Sequence, residues 1–238
     1  MESRGLAPKN RLLAALPDRD CLVFRPHLEA VPLFRGSVLF DTDEPLTRLY
    51  FMETGVAALL TTFESRAVGI AAVGHEGVVD VHTLLLGGEI SLGRCQVLVP
   101  GSALAMEVAW FRDALEGSPT LRAICEAYTR ALLVQMLQAV PCNRLHTVEQ
   151  RCARWLLMCA DRMAGDTFEV ARQGLAQMLG VAQPTLTIVV RKLQSEGLIW
   201  YRRSAITVVD RPRVENVAGD CYRIGRYRYR QLPAHTCG

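Results

Sequence analysis

Residues that could carry out catalysis are spread along the chain in spacings that match no common enzyme motif. The five histidines, at positions 27, 75, 82, 146 and 235, form neither the HxH pair of a cupin-type metalloenzyme nor an HExxH helix. A nucleophile elbow and a phosphate-binding P-loop are also missing. The sequence therefore predicts a protein that is not an enzyme and has no metal site; a cupin-type enzyme is the hypothesis weighed against it.

The eight cysteines stand at positions 21, 95, 125, 142, 152, 159, 221 and 237, and no two are separated by only two residues. The CxxC element of zinc sites and redox pairs is therefore absent. Cys125, Cys152 and Cys159 fall on apolar helical faces, where a free cysteine behaves as a small hydrophobic residue. The pattern predicts buried thiols in a reducing compartment.

Residues 172–191, RQGLAQMLGVAQPTLTIVVR, have the spacing of a helix-turn-helix. Gly180 fits the turn, because glycine tolerates a positive φ, and Ala176 is small enough for the contact between the helices. The positions that must face the shared core are apolar: Leu175, Leu179, Val181, Leu186, and Val189 or Val190. Since these constraints hold together, the segment predicts DNA binding.

A predicted β-hairpin follows, with residues 198–201 and 205–209 joined by Arg202-Arg203-Ser204. In a winged helix-turn-helix the second helix enters the major groove, so Gln183, Thr187 and Arg191 are predicted to reach base edges. The remaining predicted DNA contacts, largely to phosphate, are Arg172, Gln173, Thr185, Lys192, Arg202 and Arg203.

Charge is distributed unevenly between the two halves of the chain. Residues 1–142 hold 12 Lys and Arg against 16 Asp and Glu, whereas residues 143–238 hold 15 against 8. The C-terminal half is thus the basic one, which favours a polyanionic partner at that end only.

The elements that would position these residues suggest an α+β fold. Short β-branched and aromatic runs separated by turn signals, from Val31 to about Val108, are typical of a β-barrel or jelly roll. The predicted divisions are a sensor domain over 1–117, a long dimerisation helix over 118–141, and a C-terminal winged helix-turn-helix with a basic tail over 142–238. The Arg- and Tyr-rich tail from Cys221 could contact nucleic acid or could pack loosely.

The long helix opens at Ser118-Pro119, a good N-cap and first-turn pair, and is predicted to end at Pro141. Ile124, Leu133 and Leu137 widen its apolar face, which favours a second copy of the helix as partner over packing on its own barrel alone. The apolar stripe of this predicted dimer helix comprises Leu121, Cys125, Tyr128, Leu132 and Met136. Thr147, followed by Gln150, predicts the start of the next helix through a capping box.

Across nearly its whole length the sequence resembles the Crp/Fnr superfamily of bacterial regulators. The resemblance rests on the helix-turn-helix, on Gly74-His75-Glu76-Gly77-Val78, on residues 148–157 (VEQRCARWLL), and on Gly197-Leu198-Ile199 before the wing. It implies a cyclic-nucleotide-binding-type barrel, a homodimer through the long helix, and effector-controlled binding to palindromic promoter DNA. RNA polymerase is implied as a further partner.

The sequence departs from the family in the effector-binding region and in the recognition helix. The Gly-Glu-x-Gly…Arg-Ser-Ala cassette of cyclic AMP binders is replaced, so an effector other than cyclic AMP is expected. The predicted effector pocket contains Gly74, Glu76, Gly77, Arg94 and Cys95. Haem ligation by His75 or His82 is a minor alternative, and no cofactor is predicted. In the recognition helix, Gln183-Pro184 replaces the usual Arg-Glu pair, and Ile188 replaces an arginine.

Two further expectations concern location and the main alternative function. No apolar run is long enough for a membrane span and no signal peptide is evident, so a cytoplasmic protein is expected. An adaptor that has lost DNA binding is the competing hypothesis among non-enzymes, because Pro184 and Ile188 are unusual in a recognition helix.

Overall fold

The computed structural model describes residues 8–64 and 66–232. Short helices α1 (Arg11–Ala14) and α2 (Asp18–Phe24) precede the first strands. The order then runs β1 (Glu29–Leu33), β2 (Val38–Phe40), β3 (Arg48–Phe63), β4 (Arg66–Val73), β5 (Val78–Val79), α3 (Val81–Leu85), β6 (Arg94–Glu107), α4 (Val108–Gly117) and α5 (Pro119–Leu145). The C-terminal part contains α6 (Val148–Ala160), β7 (Thr167–Glu169), α7 (Arg172–Leu179), α8 (Gln183–Ser195), β8 (Ile199–Arg202), β9 (Ala205–Val208), α9 (Arg211–Ala218) and α10 (Asp220–Arg230).

The N-terminal strands form one antiparallel sheet in the order β1-β6-β3-β4, with β2 paired to β6 and β5 to β3. The α+β class is confirmed, although the hydrogen-bonded sheet is not closed into a barrel. Its inner face packs around Phe51 and Phe111, whose rings lie 6.0 Å apart between centroids.

Two of the turn signals in the β-rich region, Glu53-Thr54-Gly55 and Pro100-Gly101, do not separate strands, because β3 and β6 each run through one of them. The strands pair along nearly their whole length, and the register shifts between Met52 and Val56. A Cβ on Gly55 would lie 2.6 Å from the Val99 oxygen, and one on Gly101 would lie 2.3 Å from the Thr54 oxygen. These glycines therefore permit a bulge where two backbones approach closely.

The long helix α5 begins as predicted, with the Ser118 hydroxyl accepting a hydrogen bond from the Leu121 N–H and Pro119 in the first turn. It does not end at Pro141 but continues to Leu145. Proline lacks only its own N–H, and both Pro141 and Leu137, four residues earlier, lie on the exposed side of the helix. The unpaired carbonyl there can be solvated, so the helix continues.

The C-terminal domain contains the predicted winged helix-turn-helix. The capping box of Thr147 and Gln150 opens α6, and strands β7, β9 and β8 form a small antiparallel sheet. The tail is not loosely packed up to residue 232, since α10 packs against α5 and the side chain of Tyr222 is buried. The Tyr222 hydroxyl lies 2.9 Å from Asp161 Oδ2, and burial and this carboxylate raise the pKa of Tyr222 to about 12.

The two halves of the chain share a hydrophobic core. Val56, Leu60 and Leu98 of the sheet pack with the helices of the C-terminal domain. A Cβ on Gly69 of β4 would lie 2.8 Å from the Trp155 ring, so the absence of a side chain at this position lets α6 and α7 sit against the sheet. The helix-turn-helix is thus docked on the outside of the N-terminal domain.

Candidate nucleic-acid interface

The turn between α7 and α8 has the geometry that the sequence predicts. Gly180 has φ = 63°, the left-handed conformation expected of a glycine that ends a helix. The Val181 N–H donates to the Ala176 oxygen at 3.1 Å, which fixes the direction of the chain between the helices. The predicted inward-facing residues that are fully buried are Leu175, Ala176, Leu179, Leu186 and Val190.

Helix α8 begins at Gln183, with Pro184 in the first turn, where its missing N–H has no helical partner to lose. Gln183, Thr185 and Arg191 are exposed on the side of the helix away from the core. Thr187 is half-buried and its hydroxyl donates to the Gln183 oxygen at 2.9 Å. Of the predicted base-contacting residues, Gln183 and Arg191 are therefore the more available.

The side chains that are predicted to contact phosphate differ in how strongly neighbouring groups already engage them. The Lys192 ammonium lies 2.5 Å from Glu149 Oε2 and is partly neutralised. The Arg172 guanidinium lies over the Tyr201 ring, 5.0 Å from its centroid, and Gln173 is exposed beside it at the start of α7. Glu149 is the feature that sequence reasoning did not anticipate, because only the packing of α6 beside α8 brings it to Lys192.

The wing is a two-residue hairpin whose tip is cationic. Arg203 and Ser204 have φ values of 53° and 88°, and Arg202 pairs with Ala205 across the turn. Two successive positive φ angles correspond to a type I′ turn, which normally prefers Asn and Gly. Arg202 and Arg203 are both exposed, and neither forms an ion pair within the described residues.

Two exposed apolar side chains on this face were not among the predicted contacts. Ile188 of α8 is 70% exposed, and Trp200 of β8 is 60% exposed. In the sequence, Ile188 stands out only as the replacement of an arginine. Trp200 lies at an outward position of the alternating wing strand, a periodicity that the sequence alone contains.

The five predicted effector-pocket residues do not line one cavity. Glu76 is buried and pairs with Arg162, whose Nη2 lies 2.7 Å from Glu76 Oε1. Gly74 and Gly77 are packed against other side chains, since an added Cβ would meet Arg162 and Tyr128 at 2.6 and 2.4 Å. Arg94 lies near the surface, 3.4 Å from Asp41 Oδ2, and Cys95 is in the core.

A different cavity, of about 160 Å³, lies between the sheet and α5 and is mostly apolar. Three polar atoms of its lining residues are buried without a hydrogen-bond partner: Asp80 Oδ2, His82 Nδ1 and Thr129 Oγ1. His82 Nε2 lies 3.2 Å from Asp80 Oδ1. Burial lowers the pKa of His82, and the Asp80 carboxylate partly opposes this effect. Buried polar atoms without partners are uncommon, and they mark a place where a ligand or water can bind.

The apolar stripe of α5 faces its own domain. Leu121, Cys125, Tyr128 and Leu132 are buried in the N-terminal core, and Met136 packs beside them. A second stripe on α5 is exposed: Leu133, Leu137 and Val140. These three residues, with Arg130 before them and Arg144 after them, alternate in steps of three and four. Such spacing is that of a coiled-coil seam.

The comparisons with known proteins agree with this geometry. Residues 150–217 match the family model of the Crp-like helix-turn-helix domain. FixK2 from Bradyrhizobium japonicum is similar in structure, with a TM-score of 0.68, 16% sequence identity, and coverage of 80% of this chain and 96% of its own. The c-di-GMP-responsive global regulator CLP from Xanthomonas campestris gives 0.64 at 15% identity, covering 81% and 99%.

A CRP/FNR-family transcriptional regulator from Thermus thermophilus gives a TM-score of 0.62 at 18% identity, covering 80% of this chain and 98% of its own. A search of curated protein sequences finds no significant match. CLP and the Thermus thermophilus protein are both described as regulators.

Proposed function

We propose that this chain, whose residues 150–217 match the Crp-like helix-turn-helix domain, is a Crp/Fnr-type transcriptional regulator that binds a palindromic DNA operator as a homodimer under the control of a small effector. The observation that carries the proposal is the joint exposure of the α8 face and the doubly basic wing beside it. We expect it to act in the cytoplasm, and RNA polymerase is the further partner implied by the family.

In this proposal α8 lies in the major groove. Gln183, at the first position of the helix, can form a bidentate pair with adenine, and Arg191 can do so with guanine. Arg202 and Arg203 of the wing, with Arg172 and Gln173 of α7, reach the flanking phosphates. The exposed Thr185, also near the start of α8, is assigned to phosphate. Lys192 must first release Glu149.

The exposed α5 stripe supports a second copy of this chain as its occupant. Leu133, Leu137 and Val140 follow seam spacing, and a second α5 placed along it would bury all three. The helix leads directly into α6 and the DNA-binding domain, so pairing of two α5 helices would also fix the separation of two recognition helices. Half-sites about 34 Å apart would follow from that separation.

The cavity between the sheet and α5 supports a small, largely apolar effector with one hydrogen-bonding end. Asp80, His82 and Thr129 offer that end a carboxylate, an imidazole and a hydroxyl, and most of the other lining residues, including Leu133 and Met136 of α5, are apolar. CLP is described as c-di-GMP-responsive. The small apolar cavity here favours a different class of ligand. Thermal-shift screening of small apolar alcohols, amines and acids would test it, with a shift that is lost in Thr129→Val as the expected result.

The function itself is tested by selecting the purified protein against random duplex DNA and titrating the enriched sites against salt. We expect a two-fold symmetric motif whose affinity falls steeply as salt rises, because several phosphates are contacted. A wing variant, Arg202→Ala with Arg203→Asn, should retain the motif but lose affinity. Recovery of no motif, with the wild-type and wing variant binding duplex equally weakly, would favour the adaptor alternative.

A further inference from the structure

The end of α5 and the start of α10 bring together two thiols and an imidazole. Cys142 and His146 lie four residues apart at the C-terminal end of α5, and Cys221 lies in the first turn of α10. One ligand atom from each residue lies within 4.8 Å of the other two. The sequence alone does not predict this cluster, because His146 and Cys221 lie 75 positions apart and neither cysteine belongs to a CxxC pair.

Each sulfur lies near a different ring nitrogen of His146, and one of these nitrogens lies with both sulfurs within 4.8 Å. Cys142 Sγ lies 3.7 Å from His146 Nδ1, and Cys221 Sγ lies 3.9 Å from His146 Nε2. In a tetrahedral zinc site, bond lengths of about 2.3 Å to sulfur and 2.0 Å to nitrogen place neighbouring ligand atoms roughly 3.6–3.8 Å apart. One of the two ring nitrogens would bind the ion, after a small rotation of the half-buried imidazole.

Two N–H donors point at the sulfurs from outside the cluster. Arg154 Nη1 lies 3.6 Å from Cys142 Sγ, and Gln138 Nε2 lies 3.1 Å from Cys221 Sγ. Arg154 is itself 4% exposed, and Cys142 is the partner of its one hydrogen bond among the described residues. Donors of this kind stabilise thiolates, the form in which cysteine binds metals. A buried guanidinium directed at a sulfur is therefore a second, independent feature of a thiolate site.

The cluster is also accessible. Cys221 and Arg154 line a cavity of about 230 Å³ that Arg162, Asp161 and Tyr229 share, so an ion can approach the cluster from the Cys221 side. Two thiolates and a neutral imidazole neutralise a divalent cation, and soft sulfur ligands select against magnesium and calcium.

We propose that Cys142, His146 and Cys221 form a Zn²⁺ site with water as the fourth ligand, which fastens α10 to the junction between the N-terminal and DNA-binding domains. Binding requires both thiols to lose their protons to solvent, and no oxidant or reductant is involved. The site lies away from the α8 face and the wing, and its existence does not depend on the proposed DNA function.

The test is metal binding by the purified full-length protein, stripped with a chelator and kept reduced. Co²⁺ added to the protein should give thiolate-to-cobalt charge-transfer absorption and the intense visible bands of tetrahedral cobalt, at one ion per chain. Zn²⁺ should then displace the cobalt with the same stoichiometry. The spectrum should disappear in Cys142→Ser, in Cys221→Ser and in His146→Gln, and persist in the matched controls Cys21→Ser and His27→Gln.

A graded variant separates the site from a folding effect. Gln138→Leu retains all three ligands and removes one N–H donor, so it should weaken Zn²⁺ binding roughly 10- to 100-fold while retaining the tetrahedral cobalt spectrum. His146 is only half-buried, so His146→Gln should fold even where a cysteine variant does not. It then provides the test of ligand removal. The proposal is overturned by cobalt spectra that are equal in wild type and His146→Gln, by the absence of any tetrahedral spectrum, or by a wild-type protein that forms a Cys142–Cys221 disulfide in air whether or not Zn²⁺ is present.

Discussion

At the scale of single residues, two side chains account for different parts of the proposed DNA binding. Gln183 stands exposed at the first position of α8, the end of the helix that would reach base edges in the proposed complex. Arg203 stands at the tip of the wing with a positive φ, a conformation that arginine adopts rarely. The first residue should control which sequence is bound, and the second should control how tightly any sequence is bound.

Gln183→Ala should lower affinity for the selected operator by about 10- to 100-fold, because a bidentate contact to adenine contributes roughly 1–3 kcal/mol of discrimination. Its affinity for a scrambled duplex should stay unchanged. Fluorescence anisotropy with both duplexes provides the measurement, and Gln96→Ala, at a half-buried glutamine on β6 in the N-terminal sheet, is the control. An equal loss on both duplexes would show that Gln183 does not read bases.

Arg203→Asn should reduce the slope of log affinity against log salt by about one, which corresponds to one released phosphate contact. Asparagine tolerates the left-handed turn, so the wing should retain its shape. Arg203→Lys, which keeps the charge, is the matched control and should leave the slope near the wild-type value. A slope that is unchanged in Arg203→Asn would place the wing away from DNA.

His82→Asn should flatten the dependence of stability on pH. Burial holds the pKa of His82 below its ordinary value, so under mild acid the unfolded chain binds a proton that the folded chain does not. Stability should therefore fall as pH drops from about 7.5 to 5.5 in the wild type, and less so in the variant. Urea unfolding at the two pH values measures this, with His27→Asn as control; equal slopes in wild type and His82→Asn would contradict it.

At the scale of elements, α5 has two apolar faces with different roles. One face closes the sheet domain through Leu121, Tyr128 and Leu132, and the other leaves Leu133 and Leu137 exposed. A helix that is apolar on two sides normally has a partner on each side. The second partner is, in the proposed function, the same helix of another copy.

Leu137→Glu should convert the dimer to a monomer at micromolar concentration, because two carboxylates would face each other at the seam. Sedimentation velocity gives the oligomeric state directly. Leu137 is 69% exposed, and Leu22 on α2 is 70% exposed, so Leu22→Glu introduces the same charge at an equally exposed leucine and should leave the dimer intact. A wild-type monomer, or dimers in both variants, would exclude α5 as the interface.

At the scale of the whole molecule, the buried pair of Glu76 and Arg162 connects the N-terminal domain to the segment after α6. Arg162 also donates to the Met158 and Ala72 oxygens at 2.8 and 3.1 Å, so its buried charge is held by groups from both halves of the chain, at the edge of the cavity of about 230 Å³. Any movement of the DNA-binding domain relative to the sheet must either preserve this pair or expose it.

Glu76→Gln should lower the free energy of unfolding by about 3–5 kcal/mol, because it leaves the Arg162 charge buried without a counter-ion. Urea denaturation followed by circular dichroism measures the loss. Glu89→Gln, which removes an exposed partner of Arg112, should cost less than about 1 kcal/mol. Similar small losses in both variants would mean that water reaches Arg162.

The sequence by itself determined the local structure of the DNA-binding domain and the start of each long helix. The helix-turn-helix, the two N-caps at Ser118 and Thr147, and the wing depend on residues within a few positions of one another, and all form as predicted. Their causes are local: a left-handed glycine, side chains that satisfy free N–H groups, and alternating burial.

Tertiary structure alone decided the features that depend on distant residues. Gly55 and Gly101 are bulges rather than turns because β3 and β6 pair across them, and Pro141 does not end α5 because its side of the helix faces solvent. The pairing of Glu76 with Arg162, and the meeting of Cys221 with Cys142 and His146, join positions that are far apart in the sequence. No local periodicity encodes such encounters, since they follow from how the two halves of the chain pack on one another.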